Sequence, residues 1–263
     1  MKKLLIVIVC LIQISAMSQQ PIASNSIYVC PPCDNSCDDL KYKKSGKCHI
    51  CNMELITKGE LRNYQKPKEM TIAFYLQEGV EILDFAGPLE VFTVSGFKVF
   101  IVSKTTDPIV SQGVLKVIPD YSILNAPKAD ILAFFGGNGQ VAAQDRSIIN
   151  WIKKQEKSVD YLFSVCTGAF FLGQAGVLDN QTVTTFHMSI ESLKQSFPKA
   201  KVLSNVRFVD NGKIITTAGI SAGIDGALHL VEKIYGKERA KLTSIYMEYD
   251  KWVPGEGLIL SKN

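Results

Sequence analysis

A cysteine stands where a strand pattern changes into a helix pattern, and it is the first candidate for chemistry. Residues 161–165 are apolar with strand character, and an apolar helix pattern follows Cys166. The flanking Ser164 and Gly168 are small, as a sharp strand-to-helix turn around a nucleophile requires. A helix N-terminus favours negative charge, so we expect a lowered thiol pKa at Cys166. The pattern alone leaves open a buried cysteine that packs as a small hydrophobe.

A carboxylate and a histidine are candidates for proton transfer near this cysteine. Asp84 follows the first strand pattern of the large domain, where it could hydrogen-bond the thiol or position water. The alternative is a helix cap, because aspartate is a preferred residue just before a helix. His187 comes after the strand-like residues 182–186 and can be placed near the elbow. His229 lies in the middle of a helix pattern, so we expect a surface or core residue there.

A glycine-rich loop supplies candidate backbone donors. Residues 136–139 read Gly-Gly-Asn-Gly and follow an apolar strand pattern. We expect the amides of Gly137 and Asn138, with that of Thr167, to form a hole for negative charge on a substrate attacked by Cys166. Gly168 is predicted to belong to the same group of oxyanion- and substrate-binding residues. The alternative is a tight structural turn, and the loop does not match a dinucleotide-binding pattern.

Five cysteines are crowded between residues 27 and 57 and predict a second, smaller domain. Cys30 and Cys33 form one C-x2-C knuckle, and Cys48 and Cys51 form another after fourteen residues. Two such knuckles can place four thiolates around a tetrahedral ion, and metal binding would supply the folding free energy of so short a segment. Cys37 could replace Cys33 as a ligand or stay free. Disulfides are the alternative, because an oxidising compartment permits them.

The first eighteen residues predict export of the protein. A basic start is followed by an apolar core, and Ala16 and Ser18 are placed for cleavage before Gln19. We therefore expect a signal peptide at residues 1–18, a periplasmic or secreted protein, and no membrane association after cleavage; an uncleaved anchor is the alternative. The net charge of +4 includes two lysines of this segment, so the remaining chain is close to neutral. Charge gives no reason to expect nucleic acid as a partner.

The remaining pattern predicts the elements that must position these residues. After the cysteine-rich domain at 27–57 and a polar linker at 58–69, residues 70–252 alternate strand and helix patterns. Helices are predicted at 85–95 and at about 141–157. This alternation predicts a three-layer α/β sandwich with a mostly parallel sheet, in which ligands collect at the carboxyl ends of the strands.

The cysteine-rich segment is similar to a known small domain. The similarity lies in Tyr28-Val-Cys-Pro and in Gly46-Lys-Cys-His-Ile-Cys-Asn-Met-Glu-Leu. These stretches resemble the heavy-metal-binding domain of bacterial efflux and copper-handling proteins. That family has a Met-His pair where this chain has Pro32-Cys33, so the donor set here is richer in thiolates. The resemblance implies a metal ion, zinc or copper, held by ligands among Cys30, Cys33, Cys37, Cys48 and Cys51.

Several ordered motifs cover residues 70 to 250 of the large domain. They are Asp84-Phe-Ala-Gly-Pro-Leu-Glu-Val-Phe, Gly136-Gly-Asn-Gly, Ser164-Val-Cys-Thr-Gly-Ala, Leu178-Asp-Asn with Thr184-Thr185, and the run from Arg207 to Asp225. Together they resemble the PfpI superfamily of class I glutamine amidotransferase-like proteins, most closely its isonitrile hydratase branch and the ligand-sensing halves of certain transcription regulators.

This second resemblance implies a fold, an assembly and a set of site residues. It implies a flavodoxin-like sandwich, a homodimer, and no cofactor in the α/β domain. Cys166 would be the nucleophile, with Asp84 and Thr167 as its partners. The family's usual Thr-Thr-His-Trp reads Thr-Thr-Phe-His at 184–187, so His187 sits one place later than the family's histidine.

Two functions follow as hypotheses. The first is a cysteine-dependent hydratase or hydrolase of a small molecule; by resemblance the substrate is an isonitrile and the product an N-substituted formamide. The second is a non-catalytic thiol or metal-stress sensor of the same fold. No DNA-binding helices are predicted after residue 250, which disfavours an ordinary regulator. Nothing marks a peptide groove, which disfavours a peptidase.

Overall fold

The chain divides into two compact units. The computed structural model describes residues 26–33, 36–51, 53–62 and 68–260. The units are Met1–Gln65 and Lys66–Asn263. The predicted signal peptide lies outside the described residues. Within the described ranges, no helix has both the length and the apolar character that a membrane span needs.

The smaller unit is a short antiparallel sheet packed on sulfur atoms. Its strands are β1 (Tyr28–Val29), β2 (Lys41–Tyr42) and β3 (Ile56–Thr57), in the order β2-β1-β3, and helix α1 (Lys58–Leu61) follows. Thr57 and Glu60 form a capping box at the start of α1, inside the stretch predicted as linker. Four buried cysteines make up the core, with partly buried residues such as Leu40 and Leu55 packed against them. So small an apolar core cannot stabilise the unit by itself, and disulfides or a bound metal ion are the usual additional source of stability.

The larger unit alternates strands and helices. Its strands are β4 (Thr71–Tyr75), β5 (Lys98–Ser103), β6 (Ile109–Ser111), β7 (Leu115–Val117), β8 (Tyr121–Ser122), β9 (Ile131–Phe134), β10 (Tyr161–Val165), β11 (Thr182–Val183), β12 (Lys201–Val202), β13 (Phe208–Asp210), β14 (Ile214–Thr217) and β15 (Leu258–Ile259). Its helices are α2 (Ile82–Val94), α3 (Gly139–Ala142), α4 (Arg146–Gln155), α5 (Ala169–Gln174), α6 (Ile190–Ser196), α7 (Ala222–Tyr235) and α8 (Lys237–Tyr246), with 3-10 turns at Cys166–Gly168 and His187–Ser189.

The main sheet has the strand order β15-β13-β14-β10-β9-β4-β5-β8. Every neighbouring pair is parallel except β13 with β14, which is antiparallel. The central strands β4, β9 and β10 therefore end at the same edge of the sheet. Their exits lead to the first turn of α2, the glycine loop and Cys166, so the predicted mostly parallel α/β fold is confirmed.

Alternation along each strand builds a core on both faces of the sheet. On β4, Ile72 and Phe74 belong to one hydrophobic cluster, which includes buried residues of α2, α7 and α8. Ala73 and Tyr75 belong to the other, which includes buried residues of α4, α5 and α6. Successive side chains of a strand point to opposite faces, so a nearly continuous apolar strand requires helices on both sides. This is the three-layer sandwich that the sequence predicts.

Two predicted helix boundaries differ from the observed ones. The single helix predicted at 141–157 is wrong: it is divided into α3 and α4. Asp145 lies between them and caps α4, because its carboxylate accepts a hydrogen bond from the backbone N–H of Ser147 at 2.8 Å. Helix α2 begins at Ile82 rather than at Phe85, which places Asp84 inside the first helical turn.

Candidate active site

The predicted elbow is present at the end of β10. Cys166 has a φ of 58°, in the left-handed region that non-glycine residues rarely adopt. The chain passes from there into a 3-10 turn and then into α5. The hydroxyl of Thr185 donates a hydrogen bond of 2.7 Å to the carbonyl oxygen of Cys166 and so stabilises the turn. A non-glycine residue in this backbone conformation is strained, and such residues cluster at functional sites.

Gly168 has a packing role in this elbow. A Cβ atom at this position would lie 2.3 Å from the carbonyl oxygen of Phe134 on the neighbouring strand. The residue is buried. Its small size lets the start of α5 approach β9 closely, which fits the steric part of the sequence prediction. The packing role is compatible with the assignment of Gly168 to substrate binding, which stays a prediction.

Asp84 is a buried carboxylate that points into the site. It is fully buried, and its Oδ2 accepts a hydrogen bond from the backbone N–H of Gly136 at 2.9 Å. Among the described residues, its Oδ1 has no hydrogen-bond partner. The cap position of α2 is occupied by Glu81, whose side chain makes no capping bond. The alternative reading of Asp84 as a helix cap is therefore wrong.

Asp84 and Cys166 meet at Gly136. A Cβ atom on Gly136 would lie 2.6 Å from Asp84 Oδ2 and 2.7 Å from Cys166 Sγ. Each group influences the ionisation of the other: the thiol lowers the pKa of Asp84, and the charge of Asp84 raises the pKa of Cys166. The glycine is required because the two functional groups occupy the space of a side chain. The structure thus brings together the predicted nucleophile and the predicted acid or base.

The two groups share one buried environment, and this decides their ionisation. Burial raises the pKa of Asp84 to about 7, although the N–H of Gly136 and the thiol act in the opposite direction. Burial and then the charge of Asp84 raise the pKa of Cys166 above its ordinary value. The predicted lowering of this thiol pKa is therefore wrong, because desolvation and a neighbouring carboxylate outweigh the helix N-terminus. Near neutral pH the arrangement is a thiol beside a carboxylate that can accept its proton.

Two backbone donors of the site favour the charged form of the sulfur. Burial raises the pKa of Cys166 most, and the N–H groups of Thr167 and Gly137 act in the opposite direction. The N–H of Asn138 instead donates to the carbonyl oxygen of Gly79 at 3.2 Å. This amide is therefore engaged by Gly79, and the role of Asn138 in an oxyanion hole stays a prediction. Thr167 also donates its hydroxyl to the carbonyl oxygen of Gly137 at 3.3 Å, which ties the elbow to the glycine loop.

His187 is exposed, in a 3-10 turn after β11. The aromatic ring next to the sulfur belongs to Phe186. A Cβ atom on Gly219 would lie 2.8 Å from Cys166 Sγ and 2.9 Å from Phe186 Cδ2. The structure thus places the neighbouring phenylalanine, rather than the exposed imidazole, beside the sulfur, and the catalytic role of His187 stays a prediction.

Gln77 is a site residue that the sequence analysis missed. It is buried, and its Nε2 donates to the carbonyl oxygens of Phe135 at 3.1 Å and Gly136 at 2.7 Å. It therefore fastens the exit of β4 to the glycine loop. A polar residue directly after an apolar strand was the available signal. The close contacts of Gly136 and Gly219 with the sulfur had no comparable signal in the sequence.

His229 lies apart from the elbow, as a core residue. Its Nε2 is 2.8 Å from Asp210 Oδ2, and its ring stacks on Phe208. Lys233 also contacts Asp210, at 2.8 Å. A cavity of about 460 Å³ is lined in part by these polar residues and does not include Cys166.

The cysteines of the smaller unit form a donor set suited to a metal ion. The Sγ atoms of Cys30, Cys37, Cys48 and Cys51 all lie within 4.8 Å of one another. The described cysteines form no disulfide. Cys37 therefore takes the place in this tetrad that the C-x2-C spacing gave to Cys33, an option that the sequence left open. Four thiolates at this separation are the donor set of structural zinc sites.

Comparison with known proteins identifies relatives of the larger unit. The DJ-1/PfpI family model matches residues 70–233. Isonitrile hydratase from Pseudomonas putida is 32% identical over 68% of this chain and 78% of its own length. The HTH-type transcriptional regulator CdhR from Pseudomonas aeruginosa is 25% identical over 64% of this chain, but the match spans only 51% of the regulator.

Solved structures agree with the fold. A ThiJ/PfpI family protein from Pseudomonas syringae superposes with a TM-score of 0.66 and 27% identity, covering 72% of this chain and 78% of that one. DJ-1beta from Drosophila melanogaster superposes with a TM-score of 0.62 and 20% identity, covering 69% of this chain and 98% of that one. The second likeness concerns the fold alone.

Replacement of Asp84 by asparagine is expected to stabilise the protein at high pH. A carboxyl group whose pKa rises from 3.8 to about 7 on folding favours the folded state fully below pH 3.8 and loses that contribution as pH rises through 7. Asp84→Asn should therefore gain up to about 4 kcal/mol of unfolding free energy above pH 7 and little near pH 4. Urea denaturation from pH 4 to 8 measures the difference. Glu90→Gln, at an exposed position of the same helix, is the control; a gain that does not vary with pH would contradict the burial argument.

The same substitution is expected to lower the pKa of the Cys166 thiol. Without the carboxylate charge the thiolate is no longer repelled, so the pH midpoint of Cys166 alkylation should fall by about one unit or more. Iodoacetamide labelling, followed by mass spectrometry of the Cys166 peptide across pH, measures this midpoint. Cys166→Ser identifies the labelled peptide. An unchanged or higher midpoint in Asp84→Asn would show that the carboxylate does not control the thiol.

Proposed function

The chain belongs to the DJ-1/PfpI family, and from that premise we propose that it is a cysteine-dependent enzyme that hydrates isonitriles to N-substituted formamides. Cys166 is the nucleophile and Asp84 carries the proton. The observation that carries the proposal is the meeting of Cys166 Sγ and Asp84 Oδ2 at Gly136. The isonitrile hydratase from Pseudomonas putida, at 32% identity, supports this choice of substrate class.

The first chemical step joins the sulfur to the substrate. The Cys166 thiol gives its proton to Asp84 as Sγ bonds to the terminal carbon of the isonitrile. Asp84 then passes that proton to the same carbon, and the product is a thioimidate. A carboxyl group with a pKa of about 7 suits both transfers, because a general base works best near the ambient pH. No cofactor is needed for this step, since proton transfer and addition balance between two side chains and the substrate.

The second step releases the product. Asp84 accepts a proton from water as the water oxygen adds to the thioimidate carbon, and it passes this proton to the substrate nitrogen. The adduct then collapses to a formamide: its hydroxyl proton goes to Asp84 as the carbon–sulfur bond breaks, and Asp84 returns that proton to the departing Cys166 sulfur. The N–H groups of Thr167 and Gly137 lower the pKa of Cys166, so they stabilise the thiolate as it leaves. These two amides therefore serve the sulfur rather than a substrate oxygen.

The space around the sulfur supports a slim substrate. Gly136 and Gly219 each lie so close that a Cβ atom would come within 2.8 Å of Sγ. Phe186 closes the same side with an apolar ring. Only 5% of Cys166 is accessible, so the reacting end of the substrate must be narrow. A linear isonitrile carbon meets that requirement, whereas a peptide carbonyl flanked by two chains does not.

A non-catalytic sensor is the second candidate. The similarity to the ligand-binding region of regulators such as CdhR favours it, although this chain spans about half the length of that protein. In a sensor the same thiol and carboxylate would bind a ligand without turnover. Catalysis is preferred because a buried carboxyl group with a raised pKa destabilises the fold when it is charged. Such groups cluster at catalytic sites, where the raised pKa serves proton transfer.

The smaller unit is proposed to bind zinc or copper as an accessory module. Support comes from the thiolate tetrad and from the weakness of an apolar core made largely of cysteines. The signal-like segment at 1–18 supports export to the periplasm or the medium, and family membership supports a homodimer. A small molecule and a metal ion are the proposed partners, without nucleic acid and without membrane association after cleavage.

Turnover of a simple alkyl isonitrile is the direct test. The wild-type protein should form the formamide, and Cys166→Ala should reduce kcat/KM by at least about a thousandfold, because the covalent route is lost. Gas chromatography of the formamide measures the product. His187→Ala is the matched control, since its imidazole is exposed, and it should stay within about threefold of the wild type.

The outcomes separate the two candidates. Equal turnover by Cys166→Ala would exclude the nucleophilic mechanism. Saturable binding of the isonitrile by calorimetry, without any formamide, would favour the sensor. Parallel assays with a dicarbonyl and a primary amide test whether another electrophile is preferred; turnover of one of these alone would overturn the isonitrile assignment and keep the nucleophile.

Metal in the smaller unit is tested on protein purified under reducing conditions. Elemental analysis should find zinc or copper, and removal of the metal by a chelator should expose the cysteines to a thiol reagent. The reason is that four thiolates held within 4.8 Å of one another are protected while they coordinate an ion. Protein without metal whose cysteines are paired in disulfides would contradict the assignment. Cys166→Ala serves as a control, because it leaves the tetrad intact.

A further inference from the structure

The cysteine cluster of the smaller unit offers more ligand atoms than one tetrahedral ion uses. Two overlapping sets of donors each have all their ligand atoms within 4.8 Å. One set is Cys30, Cys37, Cys48 and Cys51, and the other is Cys30, Cys33, Cys37 and Asp38. Cys30 and Cys37 belong to both sets. A thiolate can bind two ions at once, because sulfur has more than one lone pair.

We propose that the cluster binds two metal ions that share Cys30 and Cys37 as bridging thiolates. The first ion takes Cys48 and Cys51 as its remaining ligands, and the second takes Cys33 and Asp38. The proposal rests on the metal-binding role given to this unit above, and it adds a second site with its own ligands.

The sulfur positions fit a second tetrahedron. The separations are 3.9 Å between Cys30 and Cys33, 3.4 Å between Cys33 and Cys37, and 3.8 Å between Cys37 and Cys30. Four ligands at a zinc–sulfur distance of 2.3 Å stand about 3.8 Å apart along each tetrahedral edge. The three sulfur atoms therefore already form one face of a metal tetrahedron.

Asp38 stands where the fourth ligand is needed. Its Oδ1 lies 3.1 Å from Cys33 Sγ. The backbone N–H of Cys33 donates to the same carboxylate, at 2.9 Å to Oδ1 and 3.2 Å to Oδ2. A hydrogen bond of this kind orients a ligating carboxylate, as outer partners of metal ligands commonly do. Cys33 and Asp38 thus form a connected pair beside the shared sulfurs.

The two donor sets together are rich in sulfur, because five of their six ligand residues are cysteines. Cys30, Cys33 and Cys37 are buried, so these donors are shielded from water. Thiolate-rich ligands select zinc or monovalent copper over harder cations.

Zinc stoichiometry tests the proposal on the purified, reduced protein. After removal of bound metal and addition of excess zinc, native mass spectrometry should find two ions in the wild type. Cys33→Ser should bind one. Asp38→Asn should weaken the second ion by at least about tenfold, measured by competition with a chromophoric chelator. Asp39→Asn, at the adjacent exposed carboxylate, is the matched control and should keep two ions.

Each result has a defined meaning. One ion in both the wild type and Cys33→Ser would overturn the two-ion site and leave the single tetrad intact. No ion in the wild type would overturn the metal-binding role itself. Two ions in Cys33→Ser would show that this residue is not a ligand. Retention of one zinc by Cys33→Ser also demonstrates that the variant still folds around the tetrad.

Discussion

The larger unit is built around a single buried contact, in which a carboxyl group and a thiol lie side by side. Asp84 and Cys166 come from α2 and the end of β10, and they share the space beside Gly136. Burial raises the pKa of both groups, and the charge of Asp84 further raises the pKa of the thiol. Burial thus turns a carboxylate, ordinarily too weak a base for a thiol, into one that titrates near neutrality. The chemistry proposed for the protein depends on that adjustment.

The fold brings Asp84 and Cys166 together and keeps them buried. Parallel pairing of β4, β9 and β10 brings three chain segments to one edge of the sheet. The helix layers on both faces then remove water from that edge. Gly168 allows α5 to press against β9, and Thr185 secures the backbone of Cys166. Together these features fix the backbone that carries the sulfur.

Much of this could be predicted from the sequence, because it depends on local pattern. Alternation of apolar segments predicts the layers, and small residues around Cys166 predict the elbow. The ionisation of Cys166 could not be predicted, since desolvation depends on packing of the whole unit. The bond from the Asn138 amide to the carbonyl oxygen of Gly79 could not be predicted either, because Gly79 is remote in sequence. The choice of Cys37 over Cys33 depends on the path of a turn that spacing does not determine.

The double hydrogen bond from Gln77 to the carbonyl oxygens of Phe135 and Gly136 has a mechanical consequence. It links the segment that leads into α2 with the loop whose Gly136 N–H holds Asp84. The segment that leads to the acid and the loop that anchors it are therefore joined at two points, once through the Gln77 amide and once through the Asp84 carboxylate.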